Sequence, residues 1–351
     1  MKKTLLLLFG LLFCLLLVGC GNKTDNKAQG NAVAQEKMVV TVLDVGQAEA
    51  ILLQTEGKNV LIDSGLSDNA DKLVAELKKL GVNKLDILIA THPHADHIGG
   101  MNAVLKSFEV GKIYDSGQLT TSKMYQKYLN TVKDKKIPFA LLRASDRIEI
   151  GSDGAVLEVL GPQEPLLQDT RSDLNANSIV MKLVYKKFTM ILAADATSET
   201  EKRILQSFDK DKIRSQVLKV AHHTSKYSNT DAWLEAVKPE VAIASYSKEN
   251  EYGFPHQATL KRLSKVGAKY YNTADNGNVK VTTDGVSYQI KTDKYIGRRR
   301  YWLRRFSFCS ESRILTQRNQ AQLLLCYNVV STERNEMSND YYSRKSHTHI
   351  W

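Results

Sequence analysis

Three histidines and an aspartate crowd into one short stretch, Thr91-His92-Pro93-His94-Ala95-Asp96-His97. Imidazole and carboxylate are the groups that hold divalent cations such as Zn²⁺ and Mn²⁺. In extended backbone, residues two apart point the same way, so His92 and His94 can share one ion. Asp96 and His97 fall where the chain turns into a helix and can face a second ion about 3.5–4 Å from the first. Two such ions lower the pKa of a shared water and hold an electrophile against it, the requirement for ester hydrolysis. The chain has eight histidines, and three of them sit here, which argues against a casual polar loop.

The elements around the motif must place it. Residues 85–91 are a nearly continuous apolar run, the mark of a strand covered on both faces. The histidines then lie at its carboxyl end, where open α/β sheets bind ligands. Upstream, 39–45 reads as a strand, and 51–54 and 60–63 as a hairpin about Glu56-Gly57-Lys58-Asn59. Leu73, Leu77 and Leu80 share one face of a helix over 70–80, stopped by Gly81. Further helices are predicted to about residue 107 and over 122–133, 198–208, 230–236 and 256–265. Strands are predicted at 113–115, 140–142, 156–160, 216–221 and 241–245, with more from 270 to 291. Residues 179–185 and 189–193 form a hairpin at Lys186-Lys187. The order predicts an α/β sandwich that mixes hairpins with βα units.

Six further segments accompany the motif in order: Leu43-Asp44-Val45-Gly46-Gln47, Leu61-Ile62-Asp63-Ser64-Gly65, Asn177-Ser178-Ile179-Val180, Ile191-Leu192-Ala193-Ala194-Asp195, Lys219-Val220-Ala221-His222-His223-Thr224-Ser225 and Tyr252-Gly253-Phe254-Pro255-His256. The His-x-His-x-Asp-His pattern resembles the main signature of the metallo-β-lactamase superfamily. The whole set resembles the hydrolase domain of the ComEC competence proteins and its stand-alone relatives, over about residues 37–292.

That resemblance implies a four-layer αββα sandwich with two divalent metal ions, Zn²⁺ or Mn²⁺. It implies His92 and His94 on the first ion, Asp96 and His97 on the second, Asp195 bridging both, and His222 closing the second site. Asp96 would also orient the attacking hydroxide. Asp63 would stand behind the ligands and fix a histidine or the loop; its alternative is a turn former at a strand end. Many superfamily members give the first ion another histidine. Here Ile98 to Ala221 contains none, a gap that the ComEC pattern shares. Asn177, Asn175 or water could fill that position, and a site so poor in nitrogen favours Mn²⁺ over tightly held Zn²⁺. Thr224 and Phe254 replace the glycine and histidine common in relatives.

His222 and His223 compete for one role. Alternation along 216–221 puts Leu218, Val220 and His222 on one face. This favours His222 as ligand and leaves His223 as a structural or substrate-side group and, with Asp96 and His256, a catalytic candidate. His256 opens a helix after Pro255, and amides at a helix start attract anions. With Lys219 and Ser225 it could meet a phosphate, and Gln47 joins them as an expected substrate contact. The implied function is an extracytoplasmic phosphodiesterase or nuclease related to DNA uptake. Hydrolysis of a small phosphoester, lactone or β-lactam is the alternative, and a non-catalytic metal-binding lipoprotein a third reading.

Composition sets the frame. The chain has 351 residues, 42% of them hydrophobic and 25% charged, which excludes a disordered or collagenous protein. The net charge of +11 is uneven: +3 lies in residues 1–23 and +6 in 297–351, leaving +2 for 24–296. Global basicity is therefore no sign of a polyanion partner. Lys2-Lys3 precede a 14-residue apolar run ending in Leu17-Val18-Gly19-Cys20, which resembles a bacterial lipoprotein signal over 1–20 with Cys20 lipidated. Residues 21–36 read as a tether, so the protein is expected outside the cytoplasm, lipid-anchored to the membrane. Cysteines occur only at 14, 20, 309 and 326, so the middle holds no disulfide and no cysteine metal site. Residues 293–351 turn abruptly arginine-rich and lose all periodicity, reading as a non-native or disordered tail, with a basic binding arm as the alternative. No feature points to a protein partner.

Overall fold

The computed structural model describes residues 37–294. Cys20, the signal and tether 1–36, and the tail from 295 onward lie outside the described residues. Among the described residues no helix is long and apolar enough to cross a membrane.

The chain builds two sheets in succession. β1 (Met38–Val42), β2 (Ile51–Thr55) and β3 (Lys58–Ile62) form an antiparallel meander, with the turn at Glu56-Gly57. β4 (Lys84–Ala90), β5 (Glu109–Asp115) and β6 (Phe139–Leu141) then add in parallel. The second sheet holds β7 (Arg147–Glu149), β8 (Val156–Gly161), β9 (Val180–Tyr185), β10 (Phe188–Leu192), β11 (Val217–Lys219), β12 (Val241–Ala244) and β13 (Lys269–Asn272). β10 to β13 run parallel in sequence order. The chain then returns, and β14 (Val279–Thr283) and β15 (Tyr288–Thr292) complete the first sheet beside β1.

Period-2 alternation assigns the faces. Val60, Ile62, Ile87 and Ile89 point into the space between the sheets and meet Met181, Leu183, Met190 and Leu192. Leu61, Leu88 and Ala90 point the other way, onto α1 (Ala70–Lys79), α2 (Ala95–Ile98), α3 (Met101–Ser107) and α4 (Lys123–Asp134). The outer face of the second sheet is covered by α6 (Ser198–Ser207), α8 (Asp231–Val237) and α9 (Gln257–Lys265), through Ile204, Trp233 and Leu263. The short α5 (Asp173–Ala176), α7 (Lys210–Ile213) and α10 (Thr273–Asn276) punctuate loops. The result is the expected αββα arrangement of four layers.

Four elements escaped the sequence reading: β7, α5, α7 and α10. Each is three or four residues long, too short for a period to show. Two expected strands are shorter in fact. The first ends at Val42 rather than 45, and the one expected over 216–221 ends at Lys219. The second difference changes the site.

Candidate metal centre

Four strand ends converge. The loop after β4 carries His92 and His94, and α2 behind it carries Asp96 and His97. Asp195 follows β10, the turn Ala221–Thr224 follows β11, and Ser245 follows β12. Backbone strain gathers here: φ is positive at Asp63 (59°), Ala194 (44°), His222 (49°), His223 (51°) and Thr224 (79°). Non-glycine residues hold the left-handed region only where the surroundings over-determine them.

Two groups of ligand atoms share Asp195. Asp96, His97, Asp195 and His223 form one; His92, His94 and Asp195 form the other. Within each, the ligand atoms all lie within 4.8 Å of one another. In the first group His97 Nε2 is 3.3 Å from Asp195 Oδ1, and His223 Nε2 is 3.2 Å from Asp96 Oδ2 and 3.6 Å from Asp195 Oδ1. None of these is aligned as a hydrogen bond: His97 Nε2, His223 Nε2 and Asp195 Oδ1 are buried and unpartnered. Orphaned buried lone pairs cost free energy unless something accepts them. A divalent cation does so, and the donor set suits Zn²⁺ or Mn²⁺. In the other group His92 Nε2 lies 3.0 Å from His94 Nδ1 and 3.8 Å from Asp195 Oδ2.

The other ring nitrogens are fixed from behind. His97 Nδ1 is 2.6 Å from Asp63 Oδ2, and His223 Nδ1 is 2.7 Å from the Ser245 carbonyl oxygen. Both acceptors require N–H at Nδ1, which makes Nε2 the ring atom offered to a cation in the cluster. Asp63 also accepts from Thr91 N at 2.9 Å and Thr91 Oγ1 at 2.7 Å, so it lies directly behind a ligand histidine.

Electrostatics of the metal-free cluster follow. Burial opposes charge on His97, but Asp195, Asp63 and Asp96 outweigh it and raise its pKa well above the ordinary range. His223 is raised against burial by Asp195 and Asp96. Burial also opposes charge on Asp195, yet His222, His97 and His223 hold it well below the carboxylate range. Burial lowers His92 well below the ordinary histidine value, assisted by the charge of His97.

Several expectations need correction. His223, not His222, joins the Asp96–His97–Asp195 group. Strand alternation misled because β11 ends at Lys219; the following residues form a 3₁₀ turn with left-handed φ, which reverses the two rings. His222 stands on the other side, its Nε2 3.6 Å from Asp195 Oδ2 and 3.4 Å from Asn175 Nδ2. An imidazole therefore borders the group that lacked a nitrogen ligand in the sequence.

Lys219 is not a substrate contact. It is fully buried, with Nζ 2.5 Å from the equally buried Glu49. Ser225 is buried, and its hydroxyl accepts from Tyr227 N at 3.3 Å, which serves the turn. The Asn177 side chain is spent on the backbone of Leu167 and Asp173 and reaches no ligand. His256 stays outside both ligand groups; its Nδ1 accepts from Lys226 N at 3.1 Å and its ring meets Phe254 edge-on. Gln47 is half-buried and accepts from Ser247 N at 3.3 Å.

Supporting residues were also missed. Glu49 donates its backbone N–H to Asp96 O at 3.1 Å and holds Lys219 and Ser245 through its carboxylate. The signal was available: a lone acid inside Ala48–Leu53 and a lone lysine inside Val217–Ala221 imply a buried pair. Glu201 accepts from Asn229 N, Thr230 N and Thr230 Oγ1, and Asn229 in turn clasps both backbone groups of Ala221. The Ser245 carbonyl carries no sequence signal, since any residue supplies one.

Two ions bound here would acidify a shared water and polarise an ester bond. The chain's own residues orient the imidazoles, exclude solvent from Asp195, and leave Asp96 partly open at the rim. The Metallo-beta-lactamase superfamily profile matches residues 43–248. ComE operon protein 3 of Bacillus subtilis (strain 168) is 28% identical over 258 residues, covering 68% of this chain and 32% of that protein. Competence protein ComA of Neisseria gonorrhoeae is 28% identical over 247 residues, covering 70% and 32%. Exodeoxyribonuclease YycJ of Bacillus anthracis is 26% identical over 110 residues, covering 31% and 41%. The chain spans about a third of the length of the relatives that it matches over most of its own length. With the four-layer fold, the paired His/Asp groups at its strand ends and a family match over most of the described residues, the chain belongs to the metallo-β-lactamase superfamily.

Proposed function

We propose that the protein is a metal-dependent phosphodiesterase that cleaves DNA outside the cytoplasm, tethered by lipid at Cys20. The observation that carries the reaction is the pair of ligand groups sharing Asp195, with buried lone pairs facing one point. Two cations about 4 Å apart suit an in-line displacement at phosphorus, because they neutralise attacking and leaving oxygens together. The relatives named for competence and for exodeoxyribonuclease activity support DNA as the substrate, and the leader supports the location. The near-neutral charge of residues 24–296 favours a second reading, a small phosphoester, lactone or β-lactam.

One panel decides between them. The protein, loaded with Mn²⁺ or Zn²⁺, is assayed on single- and double-stranded DNA, a small phosphodiester, a lactone and a β-lactam. DNA cleavage abolished by Asp195→Ala is expected. Turnover of the lactone or lactam alone would replace the proposal with the second reading. Radiolabelled fatty acid should mark the wild type and spare Cys20→Ala; an unlabelled wild type refutes the anchor.

A further inference from the structure

Beside the histidines the chain exposes aromatic rings that the metal centre does not use. Tyr252 is 62% exposed and stacks on Phe254, with ring centroids 5.5 Å apart and planes 21° apart. Phe254 is buried and faces the cluster: its centroid is 5.9 Å from His223 and 6.2 Å from His222. A large ring left mostly exposed and stacked upon a buried one is not explained by the core. The rim continues past His256, which touches Phe254 and accepts from Lys226 N. It reaches Tyr227, 40% exposed, whose ring carries the Arg171 guanidinium at 3.8 Å and the Lys226 ammonium at 5.2 Å. Arg262 anchors this loop through the carbonyls of Lys226 and Ser228.

We infer that Tyr252, backed by Phe254, is a stacking platform for an unpaired nucleobase next to the bond cut at Asp195. Arg171 and Lys226 supply positive charge for the neighbouring phosphates. A base has to be unpaired to lie on a ring face, so the substrate is single-stranded nucleic acid. Aromatic faces accept any base, and the platform is sequence-tolerant. This also reconciles a near-neutral domain with a polyanion, because stacking replaces part of the electrostatic grip. The inference rests on the phosphodiesterase reading for its scissile bond, and on ring geometry for its platform.

The test uses the full chain with Mn²⁺, a single-stranded oligonucleotide, and an abasic strand of equal length. Tyr252→Ala should raise KM on the base-bearing strand about tenfold, the weight of one stacked base, with kcat little changed. The abasic strand should show no such change, and Tyr252→Phe should behave as wild type. Equal effects on both strands, no effect on either, or full rescue by Tyr252→Leu would overturn stacking. Quenching of a 2-aminopurine strand by metal-free protein reports binding without cleavage. Quenching that Tyr252→Ala abolishes, in a protein that cuts no phosphodiester, keeps the platform and removes the proposed reaction. Cleavage of base-bearing and abasic strands with one KM keeps the reaction and removes the platform.

Discussion

Asp63→Asn isolates what the group behind a ligand contributes. The fully buried carboxylate accepts three hydrogen bonds, from Thr91 N, Thr91 Oγ1 and His97 Nδ1. Asparagine keeps the size, tolerates the φ of 59° and replaces one oxygen by a donor. If its oxygen stays on Thr91 N, its NH₂ meets His97 Nδ1–H, donor against donor. The ring then relieves the clash by moving its proton to Nε2, the atom that faces Asp195 and must be bare to hold a cation. Loss of a partner behind a ligand imidazole costs about 10–100-fold in metal affinity, or about 1.4–2.8 kcal/mol. Asp63 forms its side-chain hydrogen bonds and ion pair with Thr91 and His97 and none with His92 or His94, so one binding step should weaken much more than the other. The assay titrates metal-free protein with Mn²⁺ or Zn²⁺ against a chromophoric chelator and resolves both steps. Melting in excess chelator separately reads the buried mismatch, about 1–3 kcal/mol. Both affinities within twofold of wild type would refute the tautomer argument.

His223→Ala should lose one of two bound ions and most activity, while His222→Ala retains the ion shared by Asp96 and His97; elemental analysis showing the reverse would restore the order expected from strand alternation. Lys219→Met should destabilise the fold by about 3–5 kcal/mol by stranding a buried Glu49, and adding Glu49→Leu should recover much of that loss. Urea unfolding of both variants checks this, and an undiminished midpoint in Lys219→Met would sink the buried-pair reading. Burial pushes the Glu201 carboxyl up to about 7 from an ordinary 4.5, against its hydrogen bonds to Asn229 and Thr230. The folded state then holds an extra proton between those values, so this group's contribution is full below pH 4.5 and is lost as pH rises through 7, about 3 kcal/mol in all. Glu201→Gln should flatten that part of the stability profile between pH 5 and 8, and an unchanged slope would place the linkage elsewhere.

Much of this molecule is local information. The apolar run before Thr91, the spacing of His92, His94, Asp96 and His97, and the alternation of Val60, Leu61 and Ile62 each follow from a period of two or a single turn. Local periods survive in any fold that buries one face, so strand, helix and motif were readable residue by residue. Tertiary structure alone decided which of two adjacent histidines enters the cluster. That choice hangs on where β11 stops and on left-handed turns at His222, His223 and Thr224, which packing imposes against local preference. It also decided the fate of Lys219. Glu49 and Lys219 each show locally as a lone charge in an apolar stretch, but nothing local names a partner 170 positions away, and only the closing of one sheet on the other takes both from water together. The same closure brings Asp63, Asp195 and Ser245 behind and between the imidazoles, because contacts between strand ends depend on sheet order, which no local pattern encodes.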